Sequence, residues 1–163
     1  MSTATYRPLG RRVQARVFRI VNVPMRALLS LPFPTPASRR LMLVHHVGRR
    51  TGRHYRQPVS YVTHGTTLLT PGGGRWTDNL HQGEPVQLRL RGRVVPATAE
   101  LIADPAEVDR LLHTMAAHNP MLQRFVRVPT GPDGHYDPEA LAAAIRHGFR
   151  VVRWHLDTQA PGP

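Results

Sequence analysis

The 163-residue chain contains no cysteine and no lysine. The first absence removes disulfides, thiolate metal ligands and a thiol nucleophile, and it suits a reducing cytoplasm. The second removes a Schiff-base amine and the lysine of a Walker loop. No run of ~20 apolar residues occurs, so nothing reads as a helix that spans a bilayer. Val13 to Leu31 is the most apolar early stretch. Arg16, Arg19, Asn22, Pro24 and Arg26 interrupt it, and despite the Arg11-Arg12 pair before it, it lacks the clean apolar block of a secretory signal. Aromatic residues make up only 6%, and no helix-turn-helix or RNA-binding signature is present, which counts against a basic nucleic-acid-binding module.

The most informative absence is of acid. From Met1 to Thr77 there is no Asp or Glu against thirteen arginines, whereas from Asp78 onward nine arginines face ten acidic residues. The formal net charge of +12 therefore belongs to the first half. That half is built to meet an anion, whether nucleic acid, a lipid surface or a phosphorylated cofactor. Every cation is arginine in a chain rich in Ala, Gly and Pro, so the choice of arginine says little and its placement says more.

The length suits one domain with a proper core. Arg11 to Leu31 reads as an amphipathic segment, with Val13, Val17, Ile20 and Val21 at helical spacing and Pro24 breaking or kinking it before a short turn from Met25 to Leu31. We take residues 1–38 as this N-terminal segment, lying over its own domain or, alternatively, touching an anionic membrane surface. Leu41 to Val47 is an apolar run followed by the basic turn Gly48-Arg49-Arg50-Thr51-Gly52-Arg53. Tyr55 to Thr63 then alternates, with Tyr55, Gln57, Val59 and Tyr61 on one face. Pro58 cannot donate to a ladder, which assigns it to an edge or a bulge. After His64-Gly65, Thr66 to Thr70 is a third strand, Pro71 to Gly74 a loop and Trp76 to His81 a short helix.

Val86 to Leu90 and Val94 to Ile102 flank Gly92 as a hairpin. Asp104-Pro105-Ala106-Glu107 is a capped helix start, followed by Val108, Leu111, Leu112 and Met115. Asp137-Pro138 starts a second helix that Gly148 stops, and Phe149 to Leu156 is a last strand. Short antiparallel strands in this order favour a small barrel over a doubly wound parallel sheet.

Nucleophile motifs are missing: there is no Gly-x-Ser-x-Gly. His45 and His46 are adjacent on a strand and point to opposite faces, and His113 and His118 do not share a helical face well, so no metal site is expected. Two features stand out, the Arg49-Arg50-Thr51 turn and the glycine loop before Trp76. Flanking glycines would free backbone N–H groups of the turn for an anion, to which guanidiniums and a hydroxyl add charge-assisted bonds. Phosphate is the natural guest, although a solvated hairpin tip has the same composition.

Val23-Pro24-Met25-Arg26-Ala27-Leu28-Leu29, Leu41 to Val44 running into Gly48 to Arg53, Pro58-Val59, and Trp76 through Asn79-Leu80 together resemble the deazaflavin-dependent nitroreductase family of split-barrel oxidoreductases. The resemblance covers residues 20 to 103 well. It implies a six- or seven-stranded antiparallel split β-barrel with flanking helices, related to the pyridoxamine-phosphate-oxidase-like fold, over residues 39–163. It also implies binding of coenzyme F420, whose phosphate and oligoglutamate tail are multiply anionic. By the same resemblance Arg49, Arg50 and Thr51 hold the phosphate and tail, Gln57, Pro58 and Val59 line the ring pocket, and Pro71, Gly72, Trp76, Thr77 and Asn79 cover the cofactor. Hydride chemistry would then belong to the cofactor, with a quinone- or nitroaromatic-like acceptor.

The chain departs from the family at Thr77, where an aromatic is common, and at Asp78, whose carboxylate would repel the ligand or orient Arg75. The relatives' C-terminal tyrosines have no clear match. His135 and Tyr136 do not align, Ser60 or Tyr61 could face the pocket, and no proton donor is assigned. FMN is the alternative cofactor. A non-catalytic carrier on the same fold and a nucleic-acid-binding module are the competing functions. The protein is expected in the cytoplasm as a monomer or homodimer.

Overall fold

The computed structural model describes residues 23–157 apart from 74, 125 and 127. Val13, Val17, Ile20 and Val21 of the proposed amphipathic segment, and Gly74 of the glycine loop, lie outside these. Residues 23–29 are helical. Seven strands follow: β1 Leu41–Val47, β2 His54–Ser60, β3 Val62–His64, β4 Thr67–Gly72, β5 Pro85–Leu90, β6 Arg93–Ile102 and β7 Arg150–Leu156. Between β6 and β7 stand the helices α2 Pro105–His118 and α3 Pro138–Arg146, with α1 denoting the helical stretch at 23–29. Among the described residues no helix is long and apolar enough to cross a membrane.

All pairings are antiparallel and the strand order is β2-β1-β5-β6-β7-β4-β3. The expected single strand from Tyr55 to Thr63 is in fact two, and the break explains the architecture. Only Tyr61 separates β2 from β3, yet these strands sit at opposite ends of the order. The sheet must therefore curl until its two edges meet at Tyr61. There the backbone N–H of Tyr61 donates to Arg40 O at 3.0 Å, and its hydroxyl donates to Ser38 O at 2.8 Å. Pro58 lies on the edge strand β2, where its missing N–H costs no ladder bond.

Strand alternation divides the apolar residues between two cores. Met42, Val44, Val59, Tyr61, Leu68, Leu88, Val152 and Trp154 fill the interior of the curl. Leu69, Ile102 and Val151, on the other face, meet Val108, Leu111, Leu112 and Met115 of α2 and Leu141 and Ile145 of α3. The two helices start as the sequence predicts. Asp104 Oδ2 accepts from Glu107 N at 2.9 Å, Asp137 Oδ1 accepts from Ala140 N at 2.7 Å, and each helix opens on a proline. The fully buried Trp154 donates its indole N–H to Thr70 Oγ1 at 3.0 Å, tying β7 to β4 inside the curl.

Two local readings change. Pro71 and Gly72 are not loop residues; they continue β4, paired with Val151 and Arg150. Gly72 is buried because Thr77 packs on it: a Cβ there would come 2.8 Å from Thr77 Cγ2. The expected helix from Trp76 to His81 contracts to one 3-10 turn, Thr77–Asn79.

Candidate cofactor site

The basic turn and the 3-10 turn come from opposite ends of the sheet order and face each other. β1 and β2 hold the first as a hairpin, with Val47 opposite His54 and Gly48 N donating to Arg53 O at 2.8 Å. The second follows β4. Two bonds join them: Arg49 N donates to Asn79 Oδ1 at 3.0 Å, and the Arg49 guanidinium donates to Asp78 O at 3.2 Å.

Between the turns opens a cavity of about 710 Å³. One wall is the hairpin, with Gly48, Arg49, Arg50, Thr51, Tyr55 and Gln57; the other is Arg75, Trp76, Asp78 and Asn79, and His46 completes the lining. Six of the residues the sequence singled out thus share one concavity: Arg49, Arg50, Thr51, Gln57, Trp76 and Asn79. Pro58, Val59, Pro71, Gly72 and Thr77 lie outside its lining. Val59 belongs to the interior core, and Thr77 is buried against Gly72. Ser60 and Tyr61 do not line it either, and the Tyr61 hydroxyl is engaged by Ser38 O. His46, Gly48, Tyr55, Arg75 and Asp78 line it as well, although none was among the candidate cofactor-binding residues. For His46 and Tyr55 the signal was the strand period, which puts His46 on the inward face with Met42 and Val44, and Tyr55 on the face of Gln57 and Val59.

Electrostatically the cavity is a cluster of three guanidiniums, Arg49, Arg50 and Arg75, against the single carboxylate of Asp78. The ion pairs among the described residues all join residues beyond Asp78: Arg153 bridges Glu100 at 2.9 Å and Glu107 at 2.8 Å, Arg110 meets Glu107, and His113, His135 and His155 meet Asp109 or Glu100. Glu100, Glu107 and Asp109 are thus used within the protein. No described arginine before Asp78 is in an ion pair, and Asp78 forms none with Arg75.

The turn binds itself more fully than its glycines suggested. Thr51 N and Gly52 N both donate to Gly48 O, at 3.3 and 2.8 Å, Arg53 N donates to Thr51 Oγ1 at 3.4 Å, and Arg49 N is engaged by Asn79. An anion here would therefore be held mainly by side chains. His46 is buried, both of its ring nitrogens lack a partner, and it stacks on Tyr55 with ring centroids 5.4 Å apart at 20°. Burial pushes its pKa down, so the imidazole is held neutral.

A second polar group lies away from this cavity. Potential ligand atoms of Asp109, His113 and His135 lie within 4.8 Å of one another. The His113 ring, however, is already engaged: Nδ1 meets Asp109 O at 2.8 Å and Nε2 meets Gly134 O at 2.7 Å. Carbonyls only accept, so both contacts are satisfied when both ring nitrogens carry protons. The bonds to the Gly134 and Asp109 carbonyls accordingly raise the His113 pKa. The group is a clasp between α2 and the loop ahead of α3, and Asp109 Oδ1 extends it by accepting from Tyr136 N at 3.2 Å.

The sequence model of the F420H(2)-dependent quinone reductase family matches residues 12–128. No curated protein gives a significant match. Among solved structures, one described as a domain-swapped dimer is similar with a TM-score of 0.50 at 12% identity, over 83% of this chain and 97% of that one. A protein described as a 5-nitroimidazole antibiotic resistance protein from Bacteroides thetaiotaomicron gives 0.48 at 15% identity, over 80% and 76%. HutZ, the heme storage protein from Vibrio cholerae, gives 0.48 at 12%, over 74% and 83%. At such identities the likeness concerns the fold alone.

Proposed function

Since this chain belongs to the F420H(2)-dependent quinone reductase family, we propose that its cavity binds coenzyme F420 and that the protein reduces a small quinone- or nitroaromatic-like acceptor. The observation that carries this reading is the charge of the cavity. Arg49, Arg50 and Arg75 converge on one concavity, and the guanidiniums of Arg50 and Arg75 have no bond to the protein among the described residues. Unpaired guanidiniums beside a hydroxyl match a phosphate or carboxylate ligand. Three of them suit a ligand with several anionic groups better than one with a single phosphate, which favours F420 over FMN.

The donor set fits the cofactor without any metal. Arg50, Arg75 and Thr51 bind anionic groups, and Arg49 does so while linking the two turns. Trp76, half-buried against the interior core, contributes an apolar wall for a planar ring and limits water there. When bound, the reduced deazaflavin supplies the hydride. The protein orients that ring and its acceptor, and no side-chain nucleophile is required.

The test is a fluorescence titration of the full chain with coenzyme F420 and, in parallel, FMN, followed by turnover of the reduced coenzyme with a quinone panel. Tighter binding of F420 together with quinone-dependent oxidation is expected. Tight binding without turnover would leave a carrier, and failure to bind either coenzyme would overturn the reading.

A further inference from the structure

We propose that Tyr55 is an additional anion-binding residue of this cavity, its phenol hydroxyl donating to a phosphate oxygen of the ligand beside Thr51 and Arg50. The inference deepens the cofactor reading above and rests on it for the identity of the ligand.

Five observations lead there. The backbone amides of Arg49, Thr51, Gly52 and Arg53 are bonded within the protein, so most neutral donors for an anion must come from side chains. Thr51 and Tyr55 are the hydroxyls of the lining. The Tyr55 hydroxyl stands 3.4 Å from Thr51 Oγ1, a long contact that occupies at most one proton of the pair and leaves the other for a guest. Tyr55 is also 40% exposed despite its size. One face of its ring is covered by His46, which fixes the phenol from behind.

Gly48 makes the arrangement sterically possible. A Cβ at that position would lie 2.8 Å from both Thr51 Oγ1 and Tyr55 Cε2. The two hydroxyl-bearing side chains therefore meet over a notch that only glycine leaves open. The unpartnered Arg50 guanidinium is on the same wall. Two hydroxyls and a guanidinium recognise a tetrahedral oxyanion by hydrogen bonding as well as by charge.

The test compares wild type, Tyr55→Phe and Gly48→Ala in the full chain. Calorimetry with inorganic pyrophosphate probes the anion site alone, and titration with coenzyme F420 against its phosphate-free deazaflavin riboside probes the ligand. Tyr55→Phe is expected to weaken pyrophosphate and F420 about tenfold, the loss of one hydrogen bond to a charged group, and to leave the riboside within about twofold. Gly48→Ala is expected to reproduce that pattern by pushing the hydroxyls apart. Pyrophosphate affinity that Tyr55→Phe leaves unchanged, or that wild type itself lacks at millimolar concentration, overturns the proposal. Equal weakening of F420 and the riboside also overturns it, because Tyr55 would then serve only as packing. Pyrophosphate binding that depends on Tyr55, in a protein that binds no deazaflavin, would sustain the anion site and overturn the cofactor reading.

Discussion

Replacing Arg50 by alanine separates ligand binding from folding, because the structure gives this side chain no work within the protein. Its guanidinium has no bond among the described residues, whereas the neighbouring Arg49 guanidinium donates to Asp78 O. Hydrogen bonds to charged groups contribute about 1.5–3 kcal/mol. The cavity is open to solvent, so the lower end applies, and Arg50→Ala should weaken coenzyme F420 roughly tenfold. Its melting temperature should stay within about 1 °C of wild type, since no internal contact is lost. Arg49→Ala should weaken binding similarly and also cost about 0.5–1 kcal/mol of stability, the net value of its bond to Asp78. Fluorescence titrations at low and moderate salt, read beside thermal melts, measure both effects. The variant's affinity should also respond less steeply to salt, because one charge contact is gone. Wild-type affinity of Arg50→Ala at low salt would refute the reasoning and leave the turn a solvated hairpin tip.

Thr70→Val strips the acceptor from the buried Trp154 indole. It should destabilise the protein by about 1–3 kcal/mol, the cost of a buried unsatisfied donor, and Thr70→Ser should recover most of that in urea denaturation. The raised pKa of His113 predicts a stabilising contribution that is full below the unfolded value of about 6.5 and is lost as pH rises through the folded value. Denaturation midpoints of His113→Gln should lack that loss. His45 and His46 act with the opposite sign. Burial lowers both pKa values, so stability should fall as pH drops from about 6.5 through the lowered values, and His46→Phe, which keeps a ring against Tyr55, should shrink the fall. Gly92→Ala should destabilise by more than about 1 kcal/mol in the same denaturation assay, because Gly92 has φ 83° and a Cβ there would meet Phe33 N at 2.7 Å.

Much of this architecture was readable from local patterns. The Asp-Pro starts of α2 and α3, the hairpin at Gly92 and the basic turn after β1 each depend on residues close in sequence, and each stands where its pattern put it. The split at Tyr61 was not readable, because alternation continues unbroken through that residue and its partners at the break, among them the carbonyls of Ser38 and Arg40, are remote in sequence. Pro71 and Gly72 have the composition of a loop. Their pairing with β7 is a long-range event supplied by residues about eighty positions away. The same limit governs the cavity. Arg49, Trp76 and Asn79 could be named individually, but the meeting of His46 with Tyr55, and the consumption of the turn's amides by Gly48 O, Thr51 and Asn79, depend on three-dimensional closure.

Arg49 bonds the hairpin wall to the facing turn twice, at Asn79 and at Asp78. At about 1 kcal/mol each, they tie the two walls of an open cavity with an energy only a few times thermal. Entry of a bulky guest then needs no dedicated lid. Only one of the five N–H groups of the Arg49 guanidinium is spent on Asp78 O, so a guest can recruit the others without breaking that bond. Occupancy would therefore add a further tie between the same two walls, and departure would leave the original pair in place.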